Sequence, residues 1–172
     1  MSRWFGVRFR PGAGGPALEL PLSELRDRRV ALEDLNPALA RNLGVSDDPH
    51  VVAPRLAAIA AELVNARPPD RVVQAATVRL RDSRVRVDRL ADELGFSERQ
   101  LRRRFDDAVG YGPKTLERIL RLGQFLAASG TDIAAAAIDA GYADQAHLTR
   151  ECRVLTGLAP SEWVSAHRAY WK

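Results

Sequence analysis

The sequence predicts a mainly α-helical fold, with two helix-turn-helix subdomains joined by a linker helix and preceded by a short strand and helices left from a truncated N-terminal domain. Apolar residues recur every three or four positions along most of the chain, which is the period of a helix with one buried face. Capping residues and prolines open the predicted helices, and glycines follow several of their ends. Of the 172 residues, 46% are hydrophobic and only 6% aromatic, so the core is expected to be aliphatic.

The N-terminal segment, residues 1–69, is predicted to be the C-terminal remnant of an effector or sensory domain plus a linker. Phe5, Val7 and Phe9 alternate with Gly or Arg, and this alternation predicts a strand over residues 4–9. A single strand cannot satisfy its own hydrogen-bonding ladder. Either it pairs with a second copy of the chain, which would give a homodimer through this segment, or it lies against the helices.

Short elements follow the predicted strand. A Gly/Pro-rich turn is expected after Pro11, and a short helix over Pro21–Leu25, with Ser23 as a candidate cap. Residues 32–40 are expected to form two short turns, separated at Pro37.

A longer helix is predicted over residues 48–66, where apolar side chains recur at spacings of four, three and four. Asp47 or Asp48 is its expected cap, with Pro49 at the first helical position. Arg67–Asp70 is expected to end this helix, to form a stiff linker and to cap the helix that follows. A domain boundary is therefore placed there.

The remainder, residues 70–172, is predicted to be a succession of helices. Their starts carry Asp, Ser or Pro, and several of their ends carry Gly. The expected helices are 71–82, 87–95, 97–109, 113–128, 132–140, 144–156 and 160–168.

Positive charge is concentrated in one part of the chain. The formal net charge is +4 and the pI is about 9.8. Residues 71–121 hold thirteen basic and eight acidic side chains, whereas residues 1–70 are balanced and residues 122–172 carry a small negative excess. A basic excess is typical of phosphate binding. The alternative is composition bias, because Arg far outnumbers Lys, as a GC-rich genome would produce.

The first helix-turn-helix is predicted at Val87–Val109. Gly95 stands where the chain must turn sharply, and Ser97 is the expected cap of the second helix, with Gln100 completing a capping box. Leu90 belongs to the apolar side of the supporting helix.

The second helix of this unit has two opposed faces. At about 100° per residue, Leu101, Phe105 and Ala108 share one face. The outward side chains are Arg99, Arg102, Arg103 and Asp106. Arg pairs in a bidentate manner with guanine in the major groove, so a groove-reading helix is favoured over a solvated basic face. Arg104 lies beside the buried face, where a phosphate contact or a snorkelling side chain is expected.

The second helix-turn-helix is predicted at Asp132–Leu155. Gly141 is its turn residue, Asp144 caps its second helix, and the buried face is Leu148, Cys152 and Leu155. The outer face and its flanks are Gln145, Ala146, His147, Thr149, Arg150 and Arg153. Gln suits adenine, Arg suits guanine, and the methyl groups of Ala and Thr suit thymine. A plain buried helix is the alternative.

One helix over Pro113–Ala128 is expected to fix the offset between the two units. Adjacent major-groove faces lie about 34 Å apart, so two units in one chain could read both without a partner subunit.

Two runs are more specific than a generic helix-turn-helix. The first comprises Leu90-Ala91, Gly95-Phe96-Ser97, Leu101, Arg103, Phe105, Gly110 and Pro113. The second comprises Ala137, Gly141-Tyr142, Asp144-Gln-Ala-His147-Leu148, Arg150, Gly157 and Pro160. Over roughly residues 70–168 the chain thereby resembles the AraC/XylS family of transcription regulators.

The resemblance implies seven helices and two readers that bind adjacent major-groove segments on one face of double-stranded DNA. It assigns base-reading roles by position to Arg99, Arg102, Arg103, Gln145, Ala146, His147 and Arg150. Cys152 stands where the family often has Phe. The N-terminal segment looks like the end of a sensory domain, but no effector is carried over, and activation and repression both stay open. RNA polymerase is a further candidate partner.

Other classes of function have weaker support in the sequence. His50, His147 and His167 are far apart, and no catalytic constellation or phosphate loop stands out, so no metal, no cofactor and no enzymatic activity are expected. The start of the chain lacks a secretory signal and no run approaches a membrane span, which with one cysteine favours the cytoplasm. The rival hypotheses are a helical protein-interaction adaptor and a ligand sensor built on residues 1–66.

Overall fold

The computed structural model describes residues 6–44, 46, 48–82, 85–128 and 132–170. Within these ranges all regular secondary structure is helical. The N-terminal elements are α1 Gly14–Leu18, a 3₁₀ turn Leu22–Leu25, α2 Leu32–Leu35, α3 Pro37–Leu43 and α4 Pro49–Ala66. The C-terminal elements are α5 Arg71–Arg79, α6 Val87–Glu93, α7 Glu98–Val109, α8 Pro113–Ala128, α9 Ile133–Asp139, α10 Gln145–Thr156 and α11 Pro160–Tyr170.

The helices from residue 71 onward match the predicted succession in number and order. Their starts are set by local chemistry, since Asp70 and Asp132 each accept two backbone N–H bonds from the first turn of the helix that follows. The largest difference is at the end of α5, which stops at Arg79 rather than near residue 82. Helix ends fray and are fixed less sharply by sequence than capped starts.

The longer N-terminal helix was also predicted correctly. Asp48 accepts an N–H bond from His50, and Pro49 stands at the first helical position of α4. Asp47, the alternative cap, lies outside the described residues. Helices α2 and α3 are separated as predicted at Pro37, where the Asn36 side chain caps α3.

The prediction of a strand over residues 4–9 is not borne out over residues 6–9, which carry no strand pairing. Residues 4 and 5 lie outside the described residues. The physical reason is the lack of a partner strand, because an extended segment alone leaves its backbone groups unpaired. Ser23 is a second correction: it lies inside the 3₁₀ turn, which begins after Pro21 without a side-chain cap.

The turn expected after Pro11 contains the short helix α1, which the sequence pattern did not predict. Its sequence, GGPAL, has low helix propensity, so contacts with the rest of the protein stabilise it. Helix α1 packs between α4 and α7, and the 3₁₀ turn packs against α7. A Cβ atom at Gly15 would collide with the backbone carbonyl oxygen of Asp107, so only glycine permits this close approach.

The short elements α1 and the 3₁₀ turn therefore lie against other helices, whereas residues 6–8 of the predicted strand are exposed, so both alternatives for that strand stay predictions. The division of the chain at residue 70 stays a prediction.

Two hydrophobic cores lie along the C-terminal helices. The first is built around Leu90, Leu101 and Phe105, and the second around Phe125 and Leu148, all of them fully buried. Helix α8 contributes to both cores: Leu116 belongs to the first, and Leu122 and Phe125 belong to the second. A single helix that is anchored at both ends fixes the two units relative to each other.

Candidate nucleic-acid interface

The turn between α6 and α7 is fixed by glycine and by a capping box. Gly95 has φ of 75°, a left-handed conformation that side chains other than glycine rarely adopt. The Ser97 hydroxyl accepts the N–H of Gln100, and the Gln100 side chain accepts the N–H of Ser97 at 2.9 Å. These contacts set the direction in which α7 leaves the turn.

Helix α7 divides into a buried and an exposed face, as predicted. Leu101 and Phe105 are fully buried. Arg99, Arg102 and Arg103 are exposed, and 77% of the Arg102 side chain is accessible. The three candidate base-reading arginines of this unit therefore point away from the core. Arg103 also borders a groove of about 660 Å³ between α7 and the N-terminal segment.

An acidic residue lies on the exposed face among these arginines. Asp106 approaches Arg102 on its own helix, with 3.8 Å between carboxylate oxygen and Nε. It lies closer to the N-terminal segment, where the Arg26 guanidinium is 3.0 Å from its other oxygen. Arg26 also donates from Nε to the carbonyl oxygen of Gly110, just beyond the end of α7.

The Arg104 side chain lies on the side of α7 and contacts other side chains of the protein. Its guanidinium is 2.7 Å from the Asp70 carboxylate and lies over the Phe96 ring, 5.0 Å from the centroid. The charged end thus has an acidic partner within the protein, whereas a snorkelling side chain keeps its charged end in water. Because 44% of the side chain is still exposed, the phosphate contact stays a prediction.

The turn between α9 and α10 resembles the turn between α6 and α7 but is one residue longer. Gly141 has φ of 83°, and Asp144 accepts the N–H of His147 at 2.6 Å. The His147 ring packs edge-on against Tyr142, with 5.4 Å between centroids, and its Nδ1 accepts the N–H of Ala143 at 3.4 Å. The half-buried imidazole thus helps to shape the turn, a role that sequence reasoning did not assign to it.

Helix α10 also has the two predicted faces. Leu148 and Cys152 are fully buried, and burial raises the pKa of the Cys152 thiol. The predicted outer-face residues Gln145, Ala146, Arg150 and Arg153 are exposed, and so is the apolar Val154. Thr149 is half-buried, and its hydroxyl donates to the carbonyl oxygen of Gln145 at 2.8 Å, so its one hydroxyl proton is used within the helix.

Buried charges on α8 connect the two units. Glu117 is 3% exposed and pairs with Arg121 one turn later on the same helix and with Lys114, which lies 2.8 Å away. The Arg121 guanidinium lies 5.7 Å from the centroid of the Tyr142 ring, in the turn of the second unit. Burial raises the pKa of Tyr142 to about 12. In addition, Arg118 pairs with Glu151 on α10 at 2.7 Å.

Sequence reasoning missed the parts that other segments contribute to the first unit. Asp70 was predicted only as a cap, and Arg26 was not singled out. These residues lie 34 and 80 positions from their partners Arg104 and Asp106. Helical periodicity describes neighbours three or four residues apart, so it holds no signal for such pairs.

The geometry defines a protein with two helix-turn-helix units, each with a capped second helix that has a buried face and an exposed polar face. A family model described as a helix-turn-helix domain matches residues 90–166. This segment belongs to the AraC-type helix-turn-helix family, and the resemblance noted in the sequence is confirmed. The chain is a DNA-binding transcription regulator. No curated protein and no solved structure matches it.

Two further observations concern the described residues only. None of their helices is long and apolar enough to cross a membrane. No group of three or more His, Cys, Asp or Glu side chains among them is arranged to hold a metal ion.

Proposed function

We propose that the chain binds double-stranded DNA sequence-specifically, with α7 and α10 reading two adjacent major-groove segments. One observation carries this proposal: both helices leave their polar faces exposed while burying the opposite face in cores that share α8. A recognition helix needs an exposed polar face at its N-terminal end, and adjacent segments need a fixed offset.

The two helices are assigned different contributions. Arg99, Arg102 and Arg103 give α7 three cations within its first two turns, which suits guanine and phosphate. Helix α10 presents Gln145 and Arg150 as polar readers. The site on α10 also includes Ala146, His147, Thr149 and Arg153, whose methyl, imidazole and guanidinium groups extend the same face. The first unit is expected to supply more of the affinity, and the second more of the A/T discrimination.

Selection of bound sequences from a random duplex library tests the proposal directly. Two enriched clusters, about one helical turn apart, are the expected result. Enrichment of a single cluster would reject reading by both units. No enrichment would reject sequence specificity altogether. Binding whose affinity depends little on salt would favour the adaptor hypothesis, because the neutralisation of phosphates makes log K fall linearly with log salt concentration.

Substitutions then separate base reading from general attraction. Arg103→Ala is expected to weaken binding to the selected duplex by about 1–3 kcal/mol and to relax the preference at one position. Arg89→Ala removes the same charge from the exposed surface of α6 and is the matched control. An equal loss on selected and random duplexes would assign Arg103 to phosphate binding instead.

A further inference from the structure

We propose that Arg26 is a positioning residue for the reading helix: by engaging Asp106, it keeps this carboxylate from closing on Arg102. The inference rests on the proposed function, because it concerns how α7 presents one of its candidate base-reading arginines. Through Arg26, the N-terminal segment thereby contributes to the DNA interface.

Asp106 lies between two arginines. One carboxylate oxygen lies 3.0 Å from Arg26, a hydrogen-bonding distance, whereas the other lies 3.8 Å from Arg102. The contact with Arg26 is therefore the stronger of the two. Arg102 keeps 77% of its side chain exposed and is left able to bind another acceptor.

The Arg26 guanidinium is held in place by two hydrogen bonds. Its Nε donates to the carbonyl oxygen of Gly110, and its Nη2 donates to a carboxylate oxygen of Asp106. The chain around it packs tightly on the same point, since a Cβ atom at Gly110 would meet the carbonyl oxygen of Leu22 at 2.9 Å. A guanidinium with two fixed acceptors is pre-organised, unlike a free surface arginine.

The loss of Arg26 would leave the Asp106 carboxylate without its stronger partner. Without Arg26, the cation nearest to it on the reading face would be Arg102, four residues earlier on α7. Side chains at this spacing are neighbours on a helix surface and form ion pairs. A carboxylate paired there would occupy the guanidinium that the proposed function assigns to DNA.

The inference is tested in the 172-residue chain with Arg26→Ala. Its affinity for the selected duplex is expected to fall about two- to five-fold, the effect of one surface ion pair. Arg29→Ala is the control, since Arg29 is exposed, carries the same charge and has no hydrogen bond or ion pair to the described residues. The loss should be smaller when Arg102 is already Ala, and Asp106→Asn should restore binding in the Arg26→Ala variant. Equal losses in both backgrounds, or no restoration, would overturn the inference.

A second measurement needs no DNA. The coupling between Arg102 and Asp106 in the free energy of unfolding is determined by a double-mutant cycle, once with Arg26 and once with Ala at that position. The coupling is expected to increase when Arg26 is absent, and an unchanged coupling would refute the competition. If the wild-type chain shows no sequence preference, the proposed function fails, and this cycle still decides whether Arg26 controls the Arg102–Asp106 contact.

Discussion

The buried carboxylate of Glu117 offers a sensitive test of how α8 joins the two units. Only 3% of this side chain is exposed, and its main partner Arg121 is 15% exposed. Glu117→Gln keeps the shape of the side chain but removes its charge. Arg121 then stays largely buried beside Tyr142 without its counter-ion.

The expected cost follows from this burial. Removing one partner of a buried ion pair typically destabilises a protein by about 3–5 kcal/mol, because the other charge is left uncompensated. Arg121 keeps some access to water, so the lower end, about 3 kcal/mol, is expected. For a chain of this size that corresponds to a fall of roughly 6–12 °C in Tm.

Denaturant titration followed by circular dichroism measures the effect. Glu62→Gln on the exposed surface of α4 is the matched control and should stay within about 0.5 kcal/mol of the wild type. Replacing both Glu117 and Arg121 by Met should recover most of the loss, since apolar pairs of similar volume often substitute for buried ion pairs at no net cost. A single-variant loss below about 1 kcal/mol, or a double variant as unstable as the single one, would refute this reasoning.

Three further predictions concern contacts seen only in the folded chain. Gly15→Ala should destabilise the protein by about 1–3 kcal/mol through collision with Asp107, whereas Gly123→Ala, with open space around it on α8, should not; equal calorimetric transitions for the two variants would contradict the α1–α7 contact. Tyr142→Phe should be neutral or stabilising at pH 7, because the buried hydroxyl has no hydrogen-bond partner among the described residues. The pKa of Tyr142, raised from 10.0 to about 12, adds stability that is complete below pH 10 and is lost as the pH rises through about 12; the difference between the unfolding curves at pH 7 and 11 should therefore be smaller for the Phe variant. Cys152 should react with a thiol reagent only as fast as the protein unfolds, because it is fully buried; rapid modification of the native chain would show that the second core is open.

The parts of the fold that the sequence predicted are those that local chemistry decides. Ser97 and Asp144 cap α7 and α10 as expected, and Gly95 and Gly141 adopt the positive φ that the sharp turns require. The assignment of buried and exposed faces on α7 also follows from a period of 3.6 residues, because Leu101 and its neighbours on the buried face repeat at helical spacing. These features depend on residues within a few positions of each other.

The parts that were missed depend on distant residues. The sequence GGPAL has no helical period, and α1 forms where Gly15 lets it approach α7. The partners of Arg26 and Arg104 are likewise set by long-range packing against α7, by the N-terminal segment for Arg26 and by the start of α5 for Arg104, which no local pattern encodes. The predicted strand failed for a related reason, since alternation indicates one apolar face but not the presence of a pairing partner.

The charge distribution shows how the two kinds of information combine. The basic excess of residues 71–121 suggested phosphate binding by this part of the chain, but many of its cations have acidic partners within the protein. The paired cations are Arg79, Arg86, Arg104, Lys114, Arg118 and Arg121. The cations without an ion pair among the described residues are Arg71, Arg81, Arg89, Arg99 and Arg103, and Arg102 has only the 3.8 Å approach to Asp106.

Pairing therefore leaves cations available on the outer face of α7, together with Arg71, Arg81 and Arg89 elsewhere in the segment. If α7 binds DNA as proposed, the slope of log K against log salt should decrease more for Arg99→Ala than for Arg79→Ala, because Arg79 already neutralises Glu93 at 2.8 Å. Equal decreases would mean that the whole basic segment, rather than the outer face of α7, attracts the phosphates.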